Sequence, residues 1–434
     1  MRNSITHPGA DNLVYEIREI VDVSNKIESL GQPIIWENIG DPIAKGETIP
    51  LWIKECVAEA LQDDSAYAYS PTMGLKSTRE YIAKERNLEG GIQITPDDIL
   101  FFNGLGDAIS KIYKSLHSSA RIIGPNPAYP THSSAEAAHA DSPHYTYSLD
   151  PNNNWQPDME EMERKIEENP HIVGVLIVNP DNPTGYVYSL DVLKKIVELA
   201  KKYQLFIISD EIYSNLVYEG TEYHKLADFV EDVPAIAMRG ISKEFPWPGG
   251  RCGWVEFYNR GQDEDFDKYT KSLIDAKMLE VCSTTLPQKL IPVVMQDERY
   301  YPYLKERNKK YQSRARIATD ILSSIPELIV NEPQGSFYLT VVFKEVVLSD
   351  SNTLPIKNYE IKRLIESLLD DDTHLDKRFV YYLLGSTGLC VVPLKGGFNS
   401  TFNGFRFTLL ESNEELFRKN IELLRDSIIK YLAS

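Results

Sequence analysis

The chain has 434 residues, 42 % of them hydrophobic and 25 % charged, with a formal net charge of −18. This length and balance predict a soluble protein with a large core and two domains, and the acidic surplus argues against a nucleic-acid surface as its main business. The four cysteines, Cys56, Cys252, Cys282 and Cys390, show neither a CxxC pair nor metal-ligand spacing, so a reducing, cytoplasmic setting is expected, without disulfides or a metal. The first twenty residues are mixed polar, unlike a signal peptide, and no apolar run reaches the length of a membrane span.

Ile99–Phe102 reads as a strand, followed by Asn103-Gly104-Leu105-Gly106-Asp107-Ala108 and a helical pattern from Ile109 to Leu116. Glycines between a strand and a helix let backbone amides approach a phosphate. Ile109 stands where GxGxxG needs its third glycine, and the Walker A pattern is absent, which disfavours a nucleotide. Arg121 to Gly124 is a second strand, trailed by Pro127-Ala128-Tyr129-Pro130; Tyr129 is either a stacking ring or packing. Val173–Val178 reads as a strand buried on both faces. It runs into Asn179-Pro180-Asp181-Asn182-Pro183-Thr184-Gly185, a rigid segment that continues neither strand nor helix. That rigidity is either a plain turn or the preorganised seat of the Asn182 amide.

From Leu190 to Tyr203 apolar residues recur at 190, 193, 196, 197 and 200, with Ser189 as N-cap. Leu205–Ile208 is the next strand and leads to Asp210 and Tyr213. A carboxylate there is half-buried and needs a partner: a ligand cation, an arginine or a helix start. Tyr213 shares its side if a helical turn begins at that point. The run Gly240-Ile241-Ser242-Lys243-Glu244-Phe245-Pro246-Trp247-Pro248-Gly249-Gly250-Arg251 then ends an apolar stretch with a lysine poised to project into a cleft. Arg251 supplies either a phosphate or an internal ion pair. This strand–helix rhythm predicts a parallel sheet with right-handed crossovers and a ligand at the carboxyl ends of its strands.

Beyond residue 300 the pattern changes. A long helix is expected over Tyr301 to Ile325, a strand over Gly335–Thr340, and an acidic loop around one helix from Ser349 to Asp376. Arg406 lies among alternating apolar residues, and a buried arginine needs an anion, from substrate or protein. A last helix starts at Asn413, with Ser412 and Glu415 spaced as a capping box. The expected architecture is α/β: a three-layer αβα large domain over 51–299 with a mainly parallel sheet, and a smaller α/β domain from 1–50 together with 300–434.

An asparagine, an aspartate, a tyrosine, a lysine and an arginine in this order are the parts that pyridoxal 5′-phosphate requires. Its aldehyde takes a lysine amine as a Schiff base, its ring nitrogen a carboxylate, and its phosphate cations and helix N-terminal amides. Asn38-Ile39-Gly40-Asp41-Pro42, Tyr69-Ser70-Pro71-Thr72-Met73-Gly74, Asn179–Gly185, Asp210–Tyr213 and Gly240–Lys243 together resemble the fold-type I, class I/II aminotransferases. The likeness covers nearly the whole chain and is strongest to the alanine aminotransferase-like branch.

The resemblance implies that Lys243 carries the Schiff base and moves the proton, and that Asp210 holds the pyridinium. Asn182 and Tyr213 would bond the phenolate oxygen and Tyr129 stack on the ring. Gly106, Asp107, Ser242 and Arg251 would surround the phosphate. Tyr69 would reach the phosphate of the other subunit of a homodimer. Arg406 would bind the substrate α-carboxylate beside Gly40 and Asn182. Cis bonds are implied at Asn182–Pro183 and Asn126–Pro127. The chain departs from the pattern at Gly240, where many members have Ser or Thr, and in the bulky Glu244–Pro248 loop. The expected reaction is ping-pong transfer of an amino group from an L-amino acid (alanine, aromatic or aspartate-like) to a 2-oxo acid such as 2-oxoglutarate. A β-eliminating C–S lyase and a non-catalytic ligand-sensing module are the alternatives.

Overall fold

The computed structural model describes residues 5–6, 8–13 and 16–434, so the polar N-terminal stretch falls partly outside it. Eight strands make the large sheet: β1 (Ile99–Phe102), β2 (Arg121–Asn126), β3 (Tyr145–Asp150), β4 (Gln156–Pro157), β5 (Ile172–Val178), β6 (Phe206–Asp210), β7 (Ala235–Gly240) and β8 (Gly253–Tyr258). Their order is β1-β8-β7-β6-β5-β2-β3-β4. Neighbours from β7 through β3 run parallel, whereas β8 is antiparallel to both β1 and β7, and β4 to β3.

The inner strands are continuous apolar runs because both of their faces are covered. Successive side chains point to opposite faces. Val175, Ile177, Ile207 and Ala237 pack in one core with Leu193, Ile196 and Val197 of the helix Leu190–Tyr203. Leu176, Val178, Ile208 and Met238 pack on the other side with Ile109 and Ile112 of the helix Leu105–Lys114 and Leu273 of the helix Glu264–Glu280. Helix, sheet and helix form three layers. Ser189 caps its helix as expected, accepting from the Val192 N–H. The helix expected from Ile109 starts four residues earlier, at Leu105, directly after Gly104 turns the chain with φ +79°. Only glycine takes up that region readily.

A smaller domain holds an antiparallel sheet of β9 (Leu328–Val330), β10 (Tyr338–Phe343), β11 (Val392–Pro393) and β12 (Gly404–Thr408), in the order β9-β10-β12-β11. Phe379, Phe405, Phe407, Phe417 and Ile428 build its core. The long helix runs from Tyr300 to Leu322 and packs on the last helix, Glu414–Leu432. Ile35–Trp36 pairs with Leu389–Cys390, which fixes the segment carrying Asn38 and Gly40.

Three expectations need correction. The strand foreseen at Gly335–Thr340 begins only at Tyr338. Ser336 has φ +60° and its N–H donates to Leu216 O at 2.7 Å, which takes it out of the ladder. The capping box of Ser412 and Glu415 does not form. Asn413, with φ −88° and ψ 108°, is the last non-helical residue, and its own side chain accepts from the Leu416 N–H at 2.9 Å. The cis bonds are Asn126–Pro127 and Asn179–Pro180, not Asn182–Pro183. Residues 182–184 instead run through a turn closed by the Gly185 N–H on Asp181 O at 3.0 Å, reinforced by the Thr184 N–H on the Asp181 carboxylate at 3.1 Å.

Candidate active site

The carboxyl ends of β1, β2, β5, β6 and β7 open on one cavity of about 310 Å³. Each strand end delivers a polar group from the segment that follows it. Gly106 comes after β1, Tyr129 after β2, Asn182 after β5, Asp210 and Tyr213 from the end of β6, and Ser242 and Lys243 after β7; all line the cavity. Arg251 joins them because β8 runs antiparallel, so the residues preceding it lie at the same edge. From the smaller domain come Arg406 on β12 and Tyr338 on β10, and from the N-terminal segment Asn38, Gly40 and Arg18. A larger cleft of about 760 Å³, by Val173, Phe206, Phe266 and Tyr269 at the opposite ends of the strands, gathers no such set.

Lys243 is partly buried, and its Nζ donates to Gly40 O at 2.7 Å. Burial pushes its amine down to about 8. Asp41 and Asp210 oppose that shift, and the guanidinium groups of Arg406 and Arg251 add to it. An amine of that basicity is still mostly protonated near physiological pH, but its neutral fraction is far larger than that of an ordinary lysine, and that form can act as nucleophile or base. Asp210 is 2 % exposed. His132 Nε2 lies 3.1 Å from its Oδ2, and the Ile212 N–H donates to its Oδ1 at 3.1 Å. His132 Nδ1 is in turn 3.3 Å from the Tyr113 hydroxyl.

Burial drives the Tyr213 phenol well above its usual value, and its hydroxyl sits 3.1 Å from that of Tyr338. Asn182 Oδ1 accepts from Arg406 Nη1 at 3.3 Å. The other Nη of Arg406 donates to Asn38 O, and its guanidinium lies 4.4 Å from the centre of the Tyr338 ring. Arg251 donates to Pro248 O at 3.0 Å and to Asn103 O at 3.3 Å. A Cβ on Gly104 would collide with its guanidinium. The glycine therefore admits the cation beside the first turn of the helix Leu105–Lys114.

One expected residue lies elsewhere. Asp107 is not part of the cavity lining; its carboxylate accepts from Lys111, from Lys277 at 3.3 Å and from the Asn103 N–H at 3.0 Å. Tyr69, expected at the phosphate of the other subunit, does not line the cavity of its own chain and is 84 % exposed. His132, Tyr338 and Arg18 were not foreseen, and Asn38 was read only as part of the run Asn38–Pro42, without a role of its own. His132 stands three residues after Tyr129, at helical spacing. The Asn38 amide is fully buried at the cavity, and neither its nitrogen nor its oxygen has a hydrogen-bond partner among the described residues. A buried amide left unpaired beside a cavity calls for a partner that the described residues do not supply. An amine, a buried carboxylate, two guanidinium groups, a helix N-terminus and aromatic rings together can hold a planar anionic aldehyde and a carboxylate beside it.

The family model for aminotransferase class I and II matches residues 36–407. An uncharacterized aminotransferase of Methanocaldococcus jannaschii is 52 % identical over 434 residues, covering all of both chains. The glutamate-pyruvate aminotransferase of Escherichia coli is 28 % identical over 76 % of this chain and 80 % of its own. The solved alanine aminotransferase of Pyrococcus furiosus superposes with a TM-score of 0.83 at 26 % identity, over 98 % of this chain and 99 % of that one. The chain belongs to the class I and II aminotransferases, a family that in general depends on pyridoxal phosphate.

Proposed function

We propose that this protein binds pyridoxal 5′-phosphate and moves an amino group from an L-amino acid to a 2-oxo acid in two half-reactions. The observation that carries the reading is Lys243. A lysine amine lowered to about 8 shares one cavity with the buried Asp210 and the cations Arg251 and Arg406. The residues fit the cofactor: the orphaned Asn38 amide and the glycine-cleared approach of Arg251 are features that an occupant of the cavity explains.

When bound, pyridoxal phosphate supplies a reactive aldehyde carbon and a protonated ring that accepts electrons from the substrate Cα. Asp210 keeps the proton on the ring nitrogen, and His132 and the Ile212 N–H hold the carboxylate for that task. Asn182 and Tyr213 donate to the phenolate oxygen. Tyr129 packs on the ring. Ser242, Arg251 and the backbone of Gly106 and Asp107 hold the phosphate, with Tyr69 of the partner subunit completing it in a homodimer. Arg406 binds the substrate α-carboxylate beside Gly40. Lys243 Nζ holds the covalent attachment at rest and, once released, takes the α-proton of the substrate. Residues 51–299 form the cofactor-holding unit, and 1–50 with 300–434 the smaller one. The names of the Escherichia coli and Pyrococcus relatives favour alanine and glutamate among the donors, with pyruvate and 2-oxoglutarate as acceptors.

Absorbance tests this. The purified protein loaded with pyridoxal phosphate develops a lysine-linked band that an amino donor bleaches and an oxo acid restores. Lys243→Ala still binds the cofactor, but turnover falls by about a thousandfold or more. Normal turnover by that variant overturns the assignment. Steady release of ammonia and pyruvate without an oxo acid identifies a β-eliminating lyase instead.

A further inference from the structure

We propose that Arg307 and Glu47 are positioning residues for Lys243, holding its main chain against the 40–47 loop so that its amine stays aimed while it reacts. The inference rests on the reading of Lys243 above.

Arg307 is 3 % exposed, on the helix Tyr300–Leu322. Its Nη1 donates to Lys243 O at 2.9 Å and to Glu244 O at 3.0 Å. These are carbonyls of the short helix Ile241–Glu244, which its own geometry leaves unsatisfied. The same guanidinium is paired through Nε with Glu47, and its Nη2 donates to the Tyr311 hydroxyl at 2.9 Å. That hydroxyl donates to the second Glu47 oxygen at 2.6 Å. Glu47 ends a loop that folds back on itself, with the Glu47 N–H on Pro42 O at 2.9 Å and the Lys45 N–H on Asp41 O at 3.3 Å. The loop begins at Gly40, whose carbonyl accepts from Lys243 Nζ at 2.7 Å.

One loop thus grips the lysine at both ends. It holds the amine directly through Gly40, and the main chain indirectly through Glu47 and Arg307. The direct contact has to break when Nζ turns to its reaction. The indirect one does not involve Nζ and persists. A buried arginine–carboxylate pair contributes little net stability compared with apolar packing, so its benefit here is geometric. It keeps the Gly40 loop and the lysine backbone in register after the amine lets go.

The test uses the full chain, Arg307→Lys and Glu47→Gln. Lysine keeps the positive charge but cannot serve two carbonyls, a carboxylate and a hydroxyl together. Glutamine leaves the arginine in place and removes the charge that tethers the loop. Capture of pyridoxal phosphate by apoenzyme is followed by absorbance against pH, alongside kcat, KM and the melting temperature. In the wild type the capture rate rises through about pH 8, as Lys243 loses its proton. Arg307→Lys moves that midpoint upward, toward an ordinary lysine, leaves cofactor affinity unchanged and lowers kcat by about tenfold to a hundredfold. Glu47→Gln lowers kcat in the same sense by less and raises KM. A structural cap alone would lower the melting temperature without moving the midpoint. Folded variants with the wild-type midpoint and kcat overturn the proposal. If Arg307→Lys does not fold, wild-type behaviour of Glu47→Gln suffices to overturn it. A wild-type protein with no lysine-linked band, or a band that survives Lys243→Ala, overturns the cofactor reading instead.

Discussion

Lys243 lies in a surrounding that disfavours its own charge, and this has a measurable consequence for stability. In the unfolded chain its amine titrates near 10.5, in the folded protein near 8. Between those values the unfolded state binds more protons, so stability rises with pH across that window, and the full penalty applies below about pH 8. Apoprotein carrying Lys243→Met is therefore expected to melt above the wild type at pH 7, by about 1–2 °C for each kcal/mol of penalty removed, since the shift per kcal/mol shrinks with chain length. Thermal unfolding at pH 7 and above pH 10 should show the gap closing. Asp181 works in the opposite sense. Burial pushes its carboxyl to about 7, so its contribution falls as pH rises from about 4 to 7. Lys243 and Asp210 were legible because each ends an apolar run and a charge there demands a partner. His132 and Tyr338 were not. Each matters through a contact made far along the chain, His132 with Asp210 across 78 positions and Tyr338 with Tyr213 across 125.

Helices and strands follow their local signals closely, and their boundaries shift where one backbone residue departs from the regular region. Gly104 brings a helix forward by four residues, and Ser336 delays a strand by three. The last helix shows the same sensitivity at its cap. Both Ser412 and Asn413 are good N-cap types, and only the backbone angle of Asn413 decides between them. Asn413→Ala should cost about 1 kcal/mol, while Ser412→Ala should change little. Urea unfolding of the two variants checks this; equal losses would restore the capping box. The rigid asparagine–proline segment was legible as a device for holding a side chain. Which of its prolines is cis was not, because both have the same local composition.

Assembly brings together groups that no segment holds alone. Five strand ends of the large sheet, two strands of the smaller domain and the segment after Ile35–Trp36 all contribute to one cavity. Elsewhere on the surface, Leu51, Tyr67, Tyr69, Met278, Leu279 and Val281 are 53 to 90 % exposed. Thr72 Oγ1 donates to Val281 O at 3.0 Å and Thr284 Oγ1 to Asn103 Oδ1 at 3.0 Å, so this apolar surface is tied to the loop that leads into Gly106. Exposed apolar surface of this kind is where an interface is expected. On the proposed homodimer, Leu279→Glu should shift sedimentation from about twice 49.4 kDa toward the single chain and reduce cofactor affinity. A dimer that withstands the change places the interface elsewhere. Periodicity, turn residues and the polar groups that end apolar runs are properties of neighbours in the chain, and from them the α/β class and most elements could be read, while the role of the lysine came from the resemblance of several motifs taken together. Pairings such as Arg406 with Asn38 and Arg307 with Glu47 join residues 368 and 260 positions apart. They came into view only with the packed chain, because such partners are chosen by the closure of the fold and leave no trace in local sequence.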